Sequence, residues 1–246
     1  MQVCGAQKEP SPERSGDSRA DKAYALFRRE IVACRIAPGT RLTEPELTER
    51  FGIGKASLRI ALQRLSQEGF VTAIPRQGYR VQPVTLRDVE EVFALRLELE
   101  PLAARLAAGK VDRAHLERLE KACRQKRDAA MPDQIDHFLD ANRRFHMAIA
   151  EASGNRRLCR MLSELLDEMS RLVALGFGAE NERPNIEDDH KKLIDRLAAG
   201  EAEAAAAIAR SHVETFRAMT MEKVITALSA AATDVPLPSL RGGLTT

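Results

Sequence analysis

The stretch TEPELTERFGIGKASLRIALQRL, residues 43–65, decides the fold of the first part of the chain. Thr43 and Glu46 have the spacing of a capping box, in which a hydroxyl and a carboxylate bond each other's backbone amides, so a helix is predicted to begin at the next residue. Gly52 is predicted to end this helix because glycine adopts positive φ without strain. A second helix is predicted to follow Gly54. Two helices joined by so short a turn form a helix-turn-helix.

The second of these helices has one apolar face. Leu58, Ala61, Leu62 and Leu65 recur at helical spacing and are predicted to face inward. The residues left on the outer face are Lys55, Ala56, Arg59 and Gln63. Because a helix-turn-helix places the outer face of its second helix in the major groove, this pattern favours DNA binding.

The sequence FVTAIPRQGYRV, residues 70–81, reads as two short strands around Pro75 to Gly78, which is a hairpin or wing with Arg76 and Arg80 near its tip. The predicted first domain is therefore a winged helix-turn-helix over residues 19–83. We expect its DNA contacts to come from Arg41, Lys55, Ala56, Ser57, Arg59, Gln63, Arg76, Gln77 and Gly78.

The charge of the chain is unevenly distributed. Residues 19–83 contain twelve Lys or Arg against six Asp or Glu, a net charge of +6, whereas the chain from Val84 to its end carries −3. A basic domain docks on the closely spaced phosphates of a duplex and releases their counterions. The alternative, that these charges only solvate a small domain, is less consistent with the turn, cap and wing that accompany them.

From Thr85 onward every long segment has helical periodicity, and we expect an all-α bundle over residues 84–230. Its six helices are predicted at residues 85–108, 112–129, 132–152, 155–175, 184–199 and 201–229. The fold class is thus mainly α, and residues 1–18 and 231–246 are predicted to be a disordered and a flexible tail. The four cysteines have no motif spacing, no run of 18 apolar residues is present, and the start of the chain lacks a signal sequence. These features favour a cytoplasmic protein with reduced thiols and no membrane partner.

Three of the five histidines interrupt apolar stripes on three different helices. His146 shares a face with Ile135 and Ile149, and Asn142 lies one turn before it; His190 and His212 occupy the same kind of position on the last two helices. Imidazole is a ligand for zinc and neighbouring metals, and three such donors leave positions open. A hydrogen-bonded core histidine is the alternative for each residue taken singly, and periodicity does not decide whether the three converge.

Arg96 also lies on an inward stripe, that of the first bundle helix. A buried charge needs a partner of opposite sign. Glu100, one turn on, would supply a structural ion pair, whereas a bound carboxylate would make Arg96 an effector-binding residue, since guanidinium matches carboxylate in bidentate geometry. Both interpretations stay open from the residues alone.

The chain resembles the GntR family of bacterial transcription regulators. The winged helix carries this resemblance in Tyr24, Ile31, Pro38-Gly39, Arg41-Leu42, Glu46-Leu47, Phe51-Gly52, Arg59, Ala61-Leu62, Leu65, Glu68-Gly69 and Gly78. The helical part looks like the ligand-binding FCD domain of the FadR subfamily through Arg96-x-x-Leu99-Glu100-Pro101-Leu102-Ala103, Phe145-His146, Ser153-Gly154-Asn155, His190 and His212. Together these matches cover about residues 19–230.

The resemblance implies a homodimer that binds an inverted-repeat operator in double-stranded DNA, commonly as a repressor, with a small carboxylate effector in the helical domain. It also implies a divalent metal ion held by an Asp and three His, with zinc expected first and nickel or manganese as alternatives. His146, His190 and His212 take the histidine positions, but Asn142 stands where the family has the carboxylate, and a neutral amide oxygen is the poorer ligand. In the recognition helix Arg59 is retained, while Lys55 replaces an arginine and loses the planar fork that reads guanine edges.

Two other functions are compatible with these residues. A three-histidine metal site with open positions would suit a metal-dependent hydrolase or hydratase carrying a DNA-binding appendage, although no general base stands beside the histidines. The helical part would alternatively be a ligand-free dimerisation scaffold whose inward polar groups satisfy one another. The prediction that we favour is a ligand-responsive regulator and not an enzyme.

Overall fold

The computed structural model describes residues 18–125, 130–179 and 189–233, and these residues form two compact units. The first unit combines residues up to Arg29 with Arg41–Arg80; the second combines Glu30–Thr40 with the chain from Val81 onward. The predicted boundary after residue 83 did not anticipate that Glu30–Thr40 belongs with the helical unit. Backbone hydrogen bonds explain it, because Gly39 donates to Val81 O at 3.0 Å and Val81 donates to Thr40 O at 2.9 Å.

The first unit is a winged helix-turn-helix, as predicted. Its elements are α1 (Arg19–Val32, which continues into the second unit), β1 (Arg41–Leu42), α2 (Glu44–Phe51), α3 (Lys55–Gln67), β2 (Val71–Ile74) and β3 (Gly78–Val81). Thr43 and Glu46 make the predicted capping box, and Gly52 takes the left-handed conformation with φ 63°. The residues buried on α3 are those predicted: Leu58, Ala61, Leu62 and Leu65.

The wing is completed by a strand that the sequence patterns did not indicate. The sheet has the order β1-β3-β2, and β1 pairs antiparallel with β3 so that Arg41 faces Arg80 and Leu42 faces Tyr79. Gly78 starts β3 at φ 94°, where an added Cβ would lie 2.3 Å from the carbonyl oxygen of Leu42. Only glycine permits this close approach of the two strands.

The helical unit contains α4 (Leu86–Ala107), α5 (Arg113–Arg124), α6 (Met131–Ala152), α7 (Arg156–Ala179), α8 (Asp189–Ala198) and α9 (Ala202–Thr233). Helix α4 packs against α6, α7 and α9, and α8 packs against α5 and α9. The main core includes Val92, Phe93, Phe138, Leu166 and Phe216. The six-helix, all-α expectation is confirmed for the described part of the chain, and the second predicted capping box is present at Thr85 and Asp88.

Several predicted helix ends were wrong. Helix α5 ends at Arg124 instead of residue 129, and residues 126–129 lie outside the described residues. Helix α7 continues through Gly176 to Ala179, where a linker was predicted. The reason is packing: a Cβ on Gly176 would lie 2.9 Å from Cβ of Lys223, so this glycine permits contact with α9 and does not end the helix.

The predicted tails differ from the structure at their inner ends. Ser18, assigned to the tail, caps α1, because its hydroxyl accepts a hydrogen bond from the amide of Asp21 at 3.1 Å. Helix α9 runs to Thr233, four residues beyond its predicted end, through alanines that favour helix. The remainder of both predicted tails, residues 1–17 and 234–246, and the predicted start of α8 at residues 184–188 lie outside the described residues.

Candidate nucleic-acid interface and metal centre

Helix α3 presents a polar outer face to solvent. Lys55, Ala56, Arg59 and Gln63 are exposed on it, whereas Ser57 is half-buried. The inward leucines of the same helix fix this orientation, because they are packed in the core of the unit. The outer face is therefore available to a partner along its whole length.

The wing adds further exposed cations. Arg41 and Arg80 are exposed on neighbouring strands as register partners, and Arg76 and Gln77 are exposed at the turn between β2 and β3. Arg76 itself has φ 62°, which places its side chain on a backbone conformation that is uncommon outside glycine. Gly78 has a structural role in the approach to β1, so its placement among the predicted contacts has a packing explanation as well.

Arg59 is tied to α2 by an ion pair that no sequence pattern indicated. Its Nε lies 2.9 Å from Oε1 and 3.0 Å from Oε2 of Glu44, the first residue of α2. The hydrogen bond from Arg59 lowers the pKa of the Glu44 carboxyl, so Glu44 is ionised at neutral pH. The two partners are fifteen positions apart, a separation that no helical or strand periodicity indicates, and the turn between α2 and α3 brings them together.

In the helical unit the three predicted histidines converge. One ligand nitrogen from each of His146 (α6), His190 (α8) and His212 (α9) can be chosen so that all lie within 4.8 Å of one another. All three side chains are buried, with 5%, 1% and 2% of their surfaces exposed. Among the described residues, Nε2 of His146, Nε2 of His190 and Nδ1 of His212 find no hydrogen-bond partner, so each of the three rings has a buried, unsatisfied nitrogen.

Two carboxylates stand behind this cluster. Glu100 on α4 accepts a hydrogen bond from Nδ1 of His146 at 2.9 Å. Asp189, at the start of α8, lies 3.5 Å from Nδ1 of His212. A carboxylate that accepts a hydrogen bond from an imidazole, as Glu100 does from His146, fixes the ring and directs its other nitrogen toward a metal; the longer Asp189 contact leaves Nδ1 of His212 without a hydrogen bond among the described residues. From the sequence, Glu100 is predicted only as a partner of Arg96, and no pattern indicates Asp189.

Asn142 lies one turn before His146 on α6 and is 1% exposed. Its Oδ1 accepts no hydrogen bond from any described residue, so a buried amide oxygen is left unsatisfied on the face of α6 that carries His146. Such an oxygen is a neutral metal ligand of lower affinity than a carboxylate.

Arg96 is fully buried and pairs with Glu100, as the structural interpretation of the sequence required. Nε of Arg96 lies 2.6 Å from Oε1 of Glu100, and its guanidinium stands over the rings of Phe93 and Phe216 at 4.9 and 5.9 Å. The pair satisfies only part of the guanidinium, however, because Nη1 and Nη2 are buried and no residue in the described ranges accepts a hydrogen bond from them. Glu100 thus holds Arg96 with one oxygen and His146 with the other.

The protonation states suit a metal site. Burial lowers the pKa of His190 well below its ordinary value, and the neighbouring His212 and His146 lower it further. Burial also lowers the pKa of His212, although Asp189 opposes this change. For Glu100, burial raises the pKa, but Arg96 and His146 outweigh it and hold the pKa far below the ordinary range. The imidazoles of His190 and His212 are therefore neutral at neutral pH, as metal ligation requires.

A small cleft adjoins the cluster. Glu100 and His146 line it, together with apolar side chains that include Ala104, Ile149 and Leu193. The polar groups are thus few and are surrounded by an apolar wall, which is typical of small-molecule sites.

Both units match known protein families. Residues 19–81 match the family described as bacterial regulatory proteins, gntR family, and residues 91–215 match the FCD domain. The chain belongs to the GntR family, with an FCD domain. The resemblance drawn from the sequence motifs is confirmed.

Curated GntR-family relatives are regulators. The chain is 26% identical over 74% of its length to the uncharacterized HTH-type transcriptional regulator YdhC of Bacillus subtilis, covering 82% of that protein. It is 28% identical over 61% of its length to the HTH-type transcriptional repressor RspR of Escherichia coli, covering 64% of that protein. The solved structure of E. coli McbR/YncC superposes with a TM-score of 0.71 at 23% identity, over 84% of this chain and 98% of that one.

The matched domains together make this GntR-family protein a ligand-responsive DNA-binding transcription regulator. Within the described residues, no helix is both long enough and apolar enough to cross a bilayer.

Proposed function

We propose that the protein is a homodimeric repressor whose affinity for an inverted-repeat operator changes when a small carboxylate binds beside a divalent metal ion in the helical unit. The observation that carries this proposal is the buried cluster of three imidazoles, joined through Glu100 to an arginine with two unpartnered nitrogens. Each of these groups is left short of partners, and a bound metal and an anion would supply them.

The proposed DNA binding rests on the outer face of α3 and on the wing. Lys55 and Arg59 are exposed on α3, and Arg41, Arg76 and Arg80 are exposed on the wing strands and turn. Two copies of α3 in a dimer would enter successive major grooves about 34 Å apart, which matches an operator of two inverted half-sites. Phosphate contacts from the wing arginines would set the register, and base contacts from α3 would set the sequence.

The proposed metal site rests on the buried donor atoms of the histidines and of Asn142. Nε2 of His146 and of His190, together with Oδ1 of Asn142, are buried and unsatisfied, so the residues present fit a metal ion. His146, His190 and His212 would hold it, with Asn142 as a fourth donor. Nitrogen-rich ligation suits zinc, with nickel or manganese as alternatives. A bound metal ion supplies Lewis acidity, which attracts an anionic oxygen of the effector.

The proposed effector site rests on Arg96. A buried guanidinium whose Nη1 and Nη2 lack partners is costly unless an acceptor occupies the adjoining space. A carboxylate would accept two parallel hydrogen bonds from those nitrogens. The rings of Phe93 and Phe216 beside the guanidinium would exclude water and strengthen the interaction.

Glu100 gives a physical route between the two ligands. One of its oxygens holds Nε of Arg96 at 2.6 Å and the other holds Nδ1 of His146 at 2.9 Å. An effector that draws Arg96 toward itself changes the environment of a carboxylate that also orients a metal ligand. Effector and metal affinity are therefore coupled, and each must raise or lower the other by the same factor.

Metal analysis and binding assays on the full-length protein test the proposal. Inductively coupled plasma mass spectrometry should find a divalent metal, and a thermal-shift screen of small organic acids should find one that stabilises the protein, by about 2.7 kcal/mol at one hundred times its dissociation constant. The same acid should change affinity for a duplex selected by the protein from a random pool. Absence of metal, or an acid that binds without changing DNA affinity, contradicts the proposal.

A further inference from the structure

The geometry of Arg59 suggests which part of its side chain meets DNA. Its Nε is fixed between the two oxygens of Glu44, at 2.9 and 3.0 Å. The side chain is 66% exposed, whereas that of Glu44 is 25% exposed. Within the part of the chain that the structure describes, no hydrogen bond of Arg59 involves Nη1 or Nη2. One edge of the guanidinium is thus occupied, and its end is open.

We infer that Glu44 is a positioning residue that holds Arg59 so that its two terminal nitrogens read a guanine in the major groove. The inference rests on the proposed role of α3 as the reading helix. Guanine presents O6 and N7 as two adjacent acceptors, and a guanidinium reads them with two parallel donors. With Nε occupied, Nη1 and Nη2 are the pair that remains.

Glu44 is well placed to fix another side chain, because it begins a helix whose start is itself fixed. Thr43 accepts a hydrogen bond from the amide of Glu46, and Glu46 bonds back to the amide of Thr43. A long exposed arginine otherwise loses side-chain entropy when it binds a base. Pairing with Glu44 removes part of that loss before DNA arrives.

A carboxylate on a DNA-facing surface has a cost, since it repels phosphates and weakens binding to any sequence. If Glu44 served only as a charge, its removal would raise affinity for every duplex by one factor. If it positions Arg59, its removal lowers the preference for one base pair. The two roles therefore predict different ratios of specific to non-specific affinity.

The experiment uses the full-length protein, a duplex selected by it from a random pool, and a scrambled duplex of the same length. Glu44→Gln and Glu44→Ala are compared with Glu49→Gln, which removes the same charge from an exposed position of the same helix. Fluorescence anisotropy gives both affinities. Each guanine of the selected half-site is then replaced by adenine and, separately, by 7-deazaguanine, which lacks the N7 acceptor.

We expect Glu44→Ala to reduce the preference for guanine over adenine at one base pair of each half-site by about fivefold or more. Glu49→Gln should keep that preference within a factor of about two, and the slope of affinity against salt should change equally in both variants. Wild-type protein should lose affinity for the 7-deazaguanine duplex, and Glu44→Ala should lose less.

An equal rise in affinity of Glu44→Ala for selected and scrambled duplexes, with the guanine preference intact, overturns the inference. Arg59→Ala separates this failure from failure of the proposed function. If Arg59→Ala binds the selected duplex like wild type, α3 is not the reading helix; if it loses affinity while Glu44→Ala keeps full guanine preference, only the role of Glu44 is wrong. Thermal unfolding of each variant shows that the domain remains folded.

Discussion

Arg59 and Arg96 make the same contact in opposite surroundings. The Nε of each donates a hydrogen bond to a glutamate, Glu44 in one case and Glu100 in the other, while Nη1 and Nη2 find no acceptor in the part of the chain that the structure describes. Arg59 is 66% exposed, whereas Arg96 is fully buried. The terminal nitrogens of Arg59 are open to solvent, whereas those of Arg96 are buried. In the proposed function, the exposed arginine binds a long polyanion and the buried arginine binds a small anion.

The largest expected effect breaks the buried pair. Glu100→Ala should lower the free energy of unfolding of the metal-free protein by about 3–5 kcal/mol, because it leaves the Arg96 charge buried and unpaired. Denaturant unfolding followed by circular dichroism measures this. Glu44→Ala breaks the matching exposed pair and should cost less than about 1 kcal/mol. Equal losses in the two variants would show that burial does not distinguish them.

Removing one of the proposed metal ligands should greatly reduce metal content and leave the winged helix intact. His190→Ala and His212→Ala are expected to abolish stoichiometric metal in purified protein, since each removes one of three imidazoles. His115→Ala, at an exposed histidine of α5, is the matched control and should keep its metal. The winged helix should remain folded in all three variants. Full metal content in both pocket variants would contradict the assignment.

Substitution of Arg59, the exposed arginine, should impair DNA binding alone. Arg59→Ala should weaken binding to the selected duplex by about 1–3 kcal/mol through loss of one bidentate base contact. Its effector affinity, measured by calorimetry with an acid from the screen, should be unchanged. Lys55→Ala should instead weaken binding to all sequences, because an ammonium contacts phosphate as a point charge.

Asn142→Asp tests whether residue 142 is a metal ligand. Restoring a carboxylate is expected to increase metal affinity about tenfold or more, because an ionised oxygen is the stronger ligand for a divalent cation. Competition with a chromophoric chelator gives the affinity. Asn142→Leu, which offers no donor, should decrease it. If all three proteins bind metal equally, Asn142 is not a ligand.

The smallest predicted effect concerns pH. Burial lowers the pKa values of His190 and His212 in the folded, metal-free protein. The unfolded chain takes up protons at these histidines near pH 6.5, while the folded chain does not, so the free energy of unfolding falls as pH drops below that value. We expect about 1 kcal/mol less for each histidine at pH 5.5 than at pH 7. His190→Gln should reduce this pH dependence.

Much of the fold follows from local sequence, as the two capping boxes show. Thr43 with Glu46, and Thr85 with Asp88, begin α2 and α4 where predicted. Gly176 shows the limit of such rules: local propensity predicts a stop, but contact with α9 requires a glycine inside the helix. Strand β1 is only two residues long and exists because β3 pairs with it, which no local pattern records.

The candidate site divides in the same way. Helical periodicity identified His146, His190, His212 and Arg96 as inward-facing, and they are buried. Periodicity is silent on contacts between helices, so it did not indicate that Asp189 lies beside His212 or that Glu44 holds Arg59. The double role of Glu100 needed a structure as well, because Arg96 is on its own helix whereas His146 is on another.

The central claim is that occupation of the buried pocket alters binding at the exposed helix. Its most direct test is calorimetry of a carboxylate from the thermal-shift screen, titrated into metal-loaded protein with and without saturating selected duplex. The account predicts that DNA changes the acid's dissociation constant by the same factor by which the acid changes that of DNA, and that Arg96→Lys abolishes this change while Arg105→Lys preserves it. Identical dissociation constants in the presence and absence of DNA would contradict it.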